Sequence, residues 1–334
     1  MPLSQIVSAS IEDGAVAPVD LSSVAQYYGF KNRLINGGMA IDQRNNGASQ
    51  TLPAAYTYTV DRWFAYSGGA NTTGQRVASG VTGIPYVYQI TGAAGVTFVQ
   101  YMQRIEAINI ADLVGTTVTL SALISNSTLT TTSWTLYCPN AVDNYSGFTA
   151  IASGNWTVNS TLTSYNAQVT LPALAANGLW VIVQTGAQVS GTWKIGNVQL
   201  EKGVTATSFD YRPYGTELQL CQRYCYVWYP AGGVNEPLPG VNLATTQSYA
   251  TIIFPVPLRS SVTSITVTNP TSIAVVNSAG TQFQATSIVF VLSGAGSTSF
   301  YANIATASLV AGYGSIMFNN NATLPRIVFN GAEL

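Results

Sequence analysis

Hydrophobic and polar positions alternate along many short stretches between residues 31 and 207. Three clear stretches place apolar side chains at every second position: Val118, Leu120, Ala122 and Ile124, then Trp134, Leu136 and Cys138, then Ala167, Val169 and Leu171. This period of two is typical of strands that bury one face and leave the other polar. Clusters of Gly, Asn, Ser and Pro separate the stretches, and no helical periodicity intervenes. The pattern therefore predicts an antiparallel β-sandwich.

A second segment, residues 229–334, shows the same pattern of short alternating stretches. Its stretches alternate, or stay apolar, over four to eight residues, as in "SYATIIFPVPL", "TSIVFVLSG" and "RIVFNGAEL". We expect a second, smaller β domain there, so that the chain is all-β.

Residues 208–228, "SFDYRPYGTELQLCQRYCYVW", differ from both blocks. Thr216 followed by Gln219 matches a capping box, in which a hydroxyl and an amide satisfy the first free amides of a helix. Apolar residues then recur at i, i+3 and i+7: Leu218, Cys221 and Cys225. The segment is predicted to be an extended piece followed by one short helix at about 216–224, which joins the two β domains.

Residues 1–30 are too few and too poor in apolar side chains for a core of their own. Such a segment becomes ordered by packing against copies of itself or another protein. We therefore expect an attachment or trimerisation segment at 1–30, followed by a sandwich at 31–207, the joint at 208–228 and the second β domain at 229–334. The first residues lack the basic and apolar pattern of a signal peptide, and no run approaches the length of a membrane span, so we expect neither export nor membrane insertion.

Charge is scarce, at 7% of 334 residues with a net charge of −1. Without a basic surface the chain is not expected to bind nucleic acid. The absence of histidine removes nucleophile–histidine catalysis and histidine zinc ligands. The three cysteines, which include a C-x-x-x-C pair, are expected to be buried and reduced. No cofactor or catalytic metal is predicted, while a structural calcium ion is left open.

The few charged residues lie close together in sequence, acid beside arginine. They are interpreted as structural ion pairs involving the following residues: Asp42, Arg44, Asp61, Arg62, Arg104, Glu106, Asp210, Arg212, Glu217 and Arg223. A glycosidase would use two carboxylates, for which Asp61 with Glu106, or Glu201 with Asp210, are the candidates. A nearby arginine lowers a carboxyl pKa, which is the opposite of what a general acid needs, so catalysis is not expected.

Aromatic side chains are more informative about function than the charged residues, because the chain has 6 Trp and 19 Tyr. Rings surrounded by amides and hydroxyls suit sugars, which have flat C–H faces and many hydroxyl groups. The segment "LYCPNAVDNYSGFTAIASGNW" supplies the candidate glycan-binding residues: Tyr137, Asn140, Asp143, Tyr145 and Trp156. The alternative is that these rings pack at the edge of the core.

Six motifs then occur in order over about residues 30–226: "FKNRLINGGMAIDQRNNGAS", "YTVDRW", "QRIE", "DLVGTTVTLS", "VQLEKG" and "ATSFDYRPYGTELQLCQRYCY". This series closely resembles phage and prophage tail-fibre proteins. Val262 and Cys225 depart from the family pattern, which favours Pro and Tyr at these positions. The resemblance implies a jelly-roll sandwich similar to carbohydrate-binding modules, a C-terminal β domain and a homotrimer.

The hypothesis that follows is a non-enzymatic virion protein, a tail fibre that binds glycans on the bacterial host surface. It would be assembled in the bacterial cytoplasm and would attach to other tail or baseplate proteins through residues 1–30. One alternative is a purely structural virion component, such as a collar, head fibre or baseplate decoration. Another is a polysaccharide depolymerase.

Overall fold

A computed structural model describes residues 30–228, 237–319, 326–330 and 333–334. The expected attachment segment therefore lies, apart from Phe30, outside the described residues. No helix in the described ranges is long and apolar enough to cross a membrane.

The first domain is a jelly-roll sandwich of two antiparallel sheets. Its strands, in chain order, are β1 (Gln50–Leu52), β2 (Thr57–Tyr58), β3 (Phe64–Gly68), β4 (Thr72–Val81), β5 (Ile84–Thr91), β6 (Phe98–Ile105), β7 (Thr117–Asn126), β8 (Thr131–Ala141), β9 (Asn144–Thr157), β10 (Thr163–Thr170), β11 (Leu179–Thr185) and β12 (Thr192–Lys202). Sheet 1 has the order β1-β4-β5-β12-β7-β10, and sheet 2 has the order β2-β3-β6-β11-β8-β9. Short 3-10 turns at Ala107–Asn109, Ala111–Leu113 and Ala173–Asn177 connect strands. The prediction of an all-β fold is confirmed.

The core lies between the two sheets and is built from the alternating positions identified in the sequence. Leu120 and Ile124 of β7 face Trp134 and Leu136 of β8 in one buried cluster. At the other end the ring of Tyr101 stacks between those of Trp63 and Tyr88, with centroids 5.1 and 5.0 Å away. Close ring packing of this kind adds to the free energy gained from apolar burial.

Residues 30–48 form a buried segment without regular strands, which lies across the end of the sandwich. Its backbone groups are satisfied by side chains, as they must be away from water. The Asn36 amide donates to the carbonyl oxygens of Ile41 and Asp61 at 2.8 and 2.9 Å, and Asn32 donates to that of Val198 at 2.9 Å. We call this segment the clasp, because it ties the beginning of the domain to strand β12.

The joint contains one α-helix, α1 (Tyr214–Gln222), which starts two residues before the predicted position. Pro213 occupies the N-cap position and no side chain caps the helix, so the predicted capping box at Thr216 and Gln219 is wrong. Proline can begin the helix without a side-chain cap because its φ suits a helix start and it has no amide hydrogen to satisfy. Glu217, which lies in the first turn, is instead used in an ion pair with Arg212 at 3.1 Å.

The chain then enters the smaller β domain. Its strands are β13 (Tyr226–Trp228), β14 (Leu238–Ala244), β15 (Gln247–Ile253), β16 (Ser264–Thr268), β17 (Ile273–Val276), β18 (Gln282–Ser293), β19 (Ser297–Ile304), β20 (Gly314–Asn319) and β21 (Arg326–Asn330), with a 3-10 turn at Pro270–Ser272. Six of them close into a barrel in the order β14-β15-β19-β18-β17-β20, and β13-β21-β16 form a separate sheet. Closure of the barrel leaves no free edge among its strands.

After β21 the chain returns to the sandwich. The Glu333 carboxylate binds the guanidinium groups of Arg44, at 3.0 Å, and Arg62. Arg104 donates to the carbonyl oxygen of Leu334 at 2.6 Å, and the Leu334 side chain packs beside rings of sheet 2. We call residues 333–334 and these three arginines the latch, because they tie the last described residues to the first domain.

Candidate functional site

The outer face of sheet 2 carries one row of side chains that crosses five neighbouring strands. The strand register places these side chains side by side, from β3 to β9: Tyr66, Gln100, Gln184, Ser133 and Asn155. Neighbouring strands lie about 4.8 Å apart, so the row is about 19 Å long. We call it the amide row.

Contacts within the amide row orient its polar groups. Gln100 donates from its side-chain nitrogen to the side-chain oxygen of Gln184 at 2.8 Å, and the Tyr66 ring stacks on that of Phe98 at 5.7 Å. Asn155 is exposed. The row offers a flat ring at one end and amide and hydroxyl groups along its length.

A recess of about 320 Å³ lies at the Asn155 end of the row, bounded by residues 129–131 and Gly186. The Asn126 side chain fixes this rim: its oxygen accepts from the backbone of Thr128 and Leu129 at 3.0 and 2.9 Å, and its nitrogen donates to Gln188 at 2.7 Å. A rim held in this way is already shaped for a ligand, which lowers the entropy cost of binding.

Beside the amide row the same face carries a cluster of rings around Trp180. Tyr137 and Phe148 contact the Trp180 ring at 5.9 and 4.9 Å, and the Arg104 guanidinium lies 4.5 Å from the same ring. Burial among these rings lowers the pKa of Arg104. The cluster forms a wall next to the row.

The structure divides the five candidate glycan-binding residues. Trp156 lies in the core, and its indole nitrogen donates to the carbonyl oxygen of Asn166 at 3.0 Å. Tyr145 is buried and donates to the carbonyl oxygen of Ile105 at 2.6 Å. We do not place these two rings in the site, because neither has a face open to a ligand.

The other three candidates lie nearer the surface. Tyr137 is half-buried in the ring wall. Asn140 is exposed and accepts from the Thr149 hydroxyl at 2.9 Å, while Asp143 accepts from the Ala107 amide at 2.7 Å. Their role in glycan binding stays a prediction.

Most of the predicted ion-pair residues form ion pairs, but often with partners other than their sequence neighbours. Among the described residues, Arg104 and Asp210 are instead bound to backbone groups. Asp61 lies 3.5 Å from Arg44 rather than beside Arg62, and Asp42 lies 4.0 Å from Arg76 rather than beside Arg44. Sequence adjacency misleads here because both sets of residues lie at turns, where the backbone direction changes from one residue to the next and Arg62 has a φ of 71°.

Glu106 also has partners other than the expected Arg104. Its carboxylate binds Arg223 of the joint at 3.3 Å and Arg259 at 3.7 Å. Arg212 binds Glu217 at 3.1 Å, and Asp210 accepts from the Asn32 amide at 3.2 Å. These contacts tie the sandwich, the joint and the C-terminal part together.

Three of the four candidate catalytic carboxylates lie in the interior, while Asp210 is half-buried. Asp61, Glu106 and Glu201 are 0%, 3% and 2% exposed. Burial raises the pKa of Asp61 to about 6. Arg44 lowers this pKa, as expected of a nearby arginine, but by less than burial raises it. Desolvation outweighs the ion pair because the carboxylate has lost its water entirely and Arg44 is shared with Glu333.

The raised pKa of Asp61 predicts a pH dependence of stability. A carboxyl group whose folded pKa is above its unfolded value stabilises the fold at low pH, and this contribution disappears as the pH rises from about 4 to about 6. Relative to Asp61→Asn, the unfolding free energy of the wild type should therefore fall by about 3 kcal/mol between pH 3.5 and pH 7. Denaturant unfolding at both pH values measures it. A constant difference between the two proteins would contradict the prediction.

The prediction that the cysteines are buried and unpaired is confirmed for Cys138, Cys221 and Cys225. Burial raises the pKa of the Cys138 thiol to about 11 and that of Cys225 to about 12. Within the described ranges no group of Cys, Asp and Glu side chains is arranged to hold a metal ion.

Sequence analysis missed the amide row. Alternation shows that Gln100, Ser133 and Gln184 point outward from their strands, but it does not show that β6, β8 and β11 are neighbours. Only the sheet order brings these distant residues into one line.

No family model and no curated protein matches this chain. Among solved structures, similarity was found to a putative sugar binding protein from Bacteroides thetaiotaomicron, with 15% identity, a TM-score of 0.34, and 52% of this chain and 100% of that chain covered. The family 11 carbohydrate-binding module of a cellulosomal cellulase of Clostridium thermocellum has 15% identity and a TM-score of 0.31, with 48% of this chain and 99% of that chain covered. The enzymatically active domain of tailspike protein 4 of bacteriophage CBA120 has 18% identity and a TM-score of 0.33, with 52% of this chain and 21% of that chain covered. Each similarity concerns about half of this chain, and the assignment of the jelly roll rests on the strand order described above.

Proposed function

We propose that the chain binds glycans, and that the outer face of sheet 2 is the binding surface. The observation that carries this proposal is the amide row: a ring, two amides, a hydroxyl and a third amide in one line across an open sheet face. Sugar rings stack on aromatic faces and exchange hydrogen bonds with amides, so the row matches their chemistry along its whole length.

The proposed biological setting is adhesion of a phage to its bacterial host, as a tail fibre. The ordered motifs of residues 30–226 support this setting through their resemblance to tail-fibre proteins. Virion attachment through residues 1–30 belongs to the same proposal. A map of the protein on phage particles, by labelling with antibody, tests it.

Binding is proposed to proceed without catalysis. Asp61 and Glu106 are each bound to an arginine and are at most 3% exposed, so no substrate reaches them in this conformation. Incubation with host polysaccharide should release no reducing ends. Release that disappears in Glu106→Gln would establish a depolymerase instead.

A homotrimer is part of the proposal, because weak single sites gain strength by multivalency. Exposed apolar side chains on neighbouring barrel strands support association: Val241 and Leu243 on β14 and Ile316 on β20. Exposed apolar patches are typical of interaction surfaces. Light scattering of the purified protein should give three times the mass of 35.2 kDa.

Binding of host glycans should depend on the amide row. Asn155→Ala combined with Gln184→Ala removes two amides, and each lost hydrogen bond should weaken binding by about 3- to 10-fold. A glycan array followed by titration of the bound glycan measures the effect. Asn166→Ala is the matched control, since Asn166 is an exposed asparagine on β10, the edge strand of the other sheet.

Equal glycan affinity in the double variant and in the Asn166→Ala control would show that the amide row is not the binding site. If the wild type binds no host polysaccharide and does not compete with phage adsorption, the adhesion proposal itself is wrong.

A further inference from the structure

A second recess lies beside helix α1, on the side of sheet 1 rather than sheet 2. It has a volume of about 400 Å³, and its walls include four rings and two guanidinium groups: Arg76, Tyr86, Phe209, Tyr211, Arg212 and Tyr214. A neighbouring recess of about 310 Å³ shares Arg76 and Tyr214 with it and continues along the helix past Leu218 and Gln222. We call the two together the joint groove.

The tyrosines of the joint groove are exposed, although tyrosine rings usually bury most of their surface. Tyr86, Tyr211 and Tyr214 are 36%, 51% and 65% exposed. Two of them are held in place: Tyr211 by the edge of Phe209 at 4.8 Å, and Tyr86 by the Arg76 guanidinium at 4.5 Å. Exposed rings in fixed positions around a recess are suited to stacking on a ligand.

The groove also offers a polar group to a ligand. Arg212 forms a fixed part of the wall: its side chain is 4% exposed, and its terminal nitrogens bind Glu217 and the carbonyl oxygens of Asn32 and Leu34. The Tyr211 hydroxyl accepts from Asn197 at 2.9 Å, which leaves its own hydrogen available to a ligand.

The charges in the walls are already matched. Arg212 has Glu217 as its counter-ion at 3.1 Å, and Arg76 has Asp42 at 4.0 Å. A charged ligand would find no free counter-charge there and would still have to shed its water. The groove therefore favours an uncharged ligand that has flat apolar faces and hydroxyl groups.

We propose that the joint groove is a second saccharide site, which binds rings of a neutral glycan independently of the amide row. The proposal stands on this groove's own rings and on the Tyr211 hydroxyl. It deepens the proposed function by giving each chain two sites on different sheets. A polysaccharide strand or two neighbouring strands held at both sites would bind more tightly than at either alone.

The test uses the full chain and three defined neutral probes: cellohexaose, maltohexaose and xylohexaose. Calorimetric titration and ligand-detected NMR should reveal two sites in the wild type. Tyr211→Ala combined with Tyr214→Ala should remove one site by weakening it about 100-fold, roughly tenfold for each ring, while the other keeps its affinity. Tyr313→Ala is the control, because Tyr313 is a 55% exposed tyrosine of the C-terminal domain and lies outside the groove. The Asn155→Ala and Gln184→Ala variant should lose the other site only.

The two proposals fail in different ways. Two unchanged sites in the Tyr211→Ala, Tyr214→Ala variant would overturn the joint groove and leave the amide row standing. Loss of all binding in that variant, with none lost in the Asn155→Ala, Gln184→Ala variant, would support the groove and overturn the amide row. A wild type that binds none of the three probes would overturn the groove as a neutral-saccharide site.

Discussion

Replacing Glu333 with glutamine should lower the unfolding free energy by about 3 kcal/mol. The substitution keeps the size of the side chain but removes the charge that Arg44 and Arg62 share. Arg62 is 2% exposed in its side chain, so its guanidinium has no water to replace the lost carboxylate. Among the described residues, its other contacts are a hydrogen bond to the Arg104 carbonyl oxygen at 2.7 Å and the Tyr224 ring.

Denaturant unfolding, followed by tryptophan fluorescence and circular dichroism, measures this loss. Asp112→Asn is the matched control, because Asp112 pairs with Arg33 at 2.8 Å on the surface. An exposed pair of this kind contributes less than about 1 kcal/mol. Equal losses in the two variants would show that the latch does not stabilise the fold.

Replacing Gly37 with alanine should destabilise the sandwich by about 3 kcal/mol or more, and should reduce the yield of folded protein. A Cβ at this position would overlap the carbonyl oxygen of Val198 and would lie 3.0 Å from the Asn32 side-chain nitrogen. That carbonyl cannot move away cheaply. It accepts from Asn32 at 2.9 Å, and the Val198 amide donates to Gly37 at 3.0 Å.

Gly215→Ala provides the control for this substitution. Gly215 lies in helix α1 with open space where its Cβ would be, so alanine should stabilise the helix by about 0.5–1 kcal/mol. Thermal unfolding of both variants measures the contrast. A Gly37→Ala protein as stable as the wild type would show that the clasp can move away from β12.

Alternation along the chain was sufficient to predict the two β domains, and the helical spacing of Leu218 and Cys221 was sufficient to predict a short helix between them. Alternation works for β7, for example, because the apolar positions Val118, Leu120 and Ile124 join the core between the sheets, whereas most of the alternate positions are polar even though they are also buried. The helix start was misplaced because the helix begins directly after Pro213 without a side-chain cap, and the acidic residue of its first turn, Glu217, binds Arg212 and the backbone of Asn36. A local capping pattern contains no information about such distant partners.

The sequence predicted the chemistry of the candidate site but not the residues that form it. The choice of aromatic and amide chemistry agrees with the amide row, but Trp156 was selected from a strand whose inward positions face the core. The charged and amide residues of the six sequence motifs have a structural role instead of a binding role. Asn36, Glu106, Arg212 and Glu217 all lie where the clasp, the joint and the sandwich meet, so they hold the domains together instead of contacting solvent.

The latch also has a consequence for how the chain folds during synthesis. Arg62 and Glu333 are 271 residues apart. At a translation rate of about 5–20 residues per second, the carboxylate reaches the ribosome exit about 15–55 s after the arginine. During that interval a nascent sandwich contains Arg44 and Arg62 without the Glu333 carboxylate that binds both. We therefore expect the first domain to reach its full stability only after the second has been made. A ribosome stalled before residue 333 should hold a sandwich that proteases cut faster than the finished one.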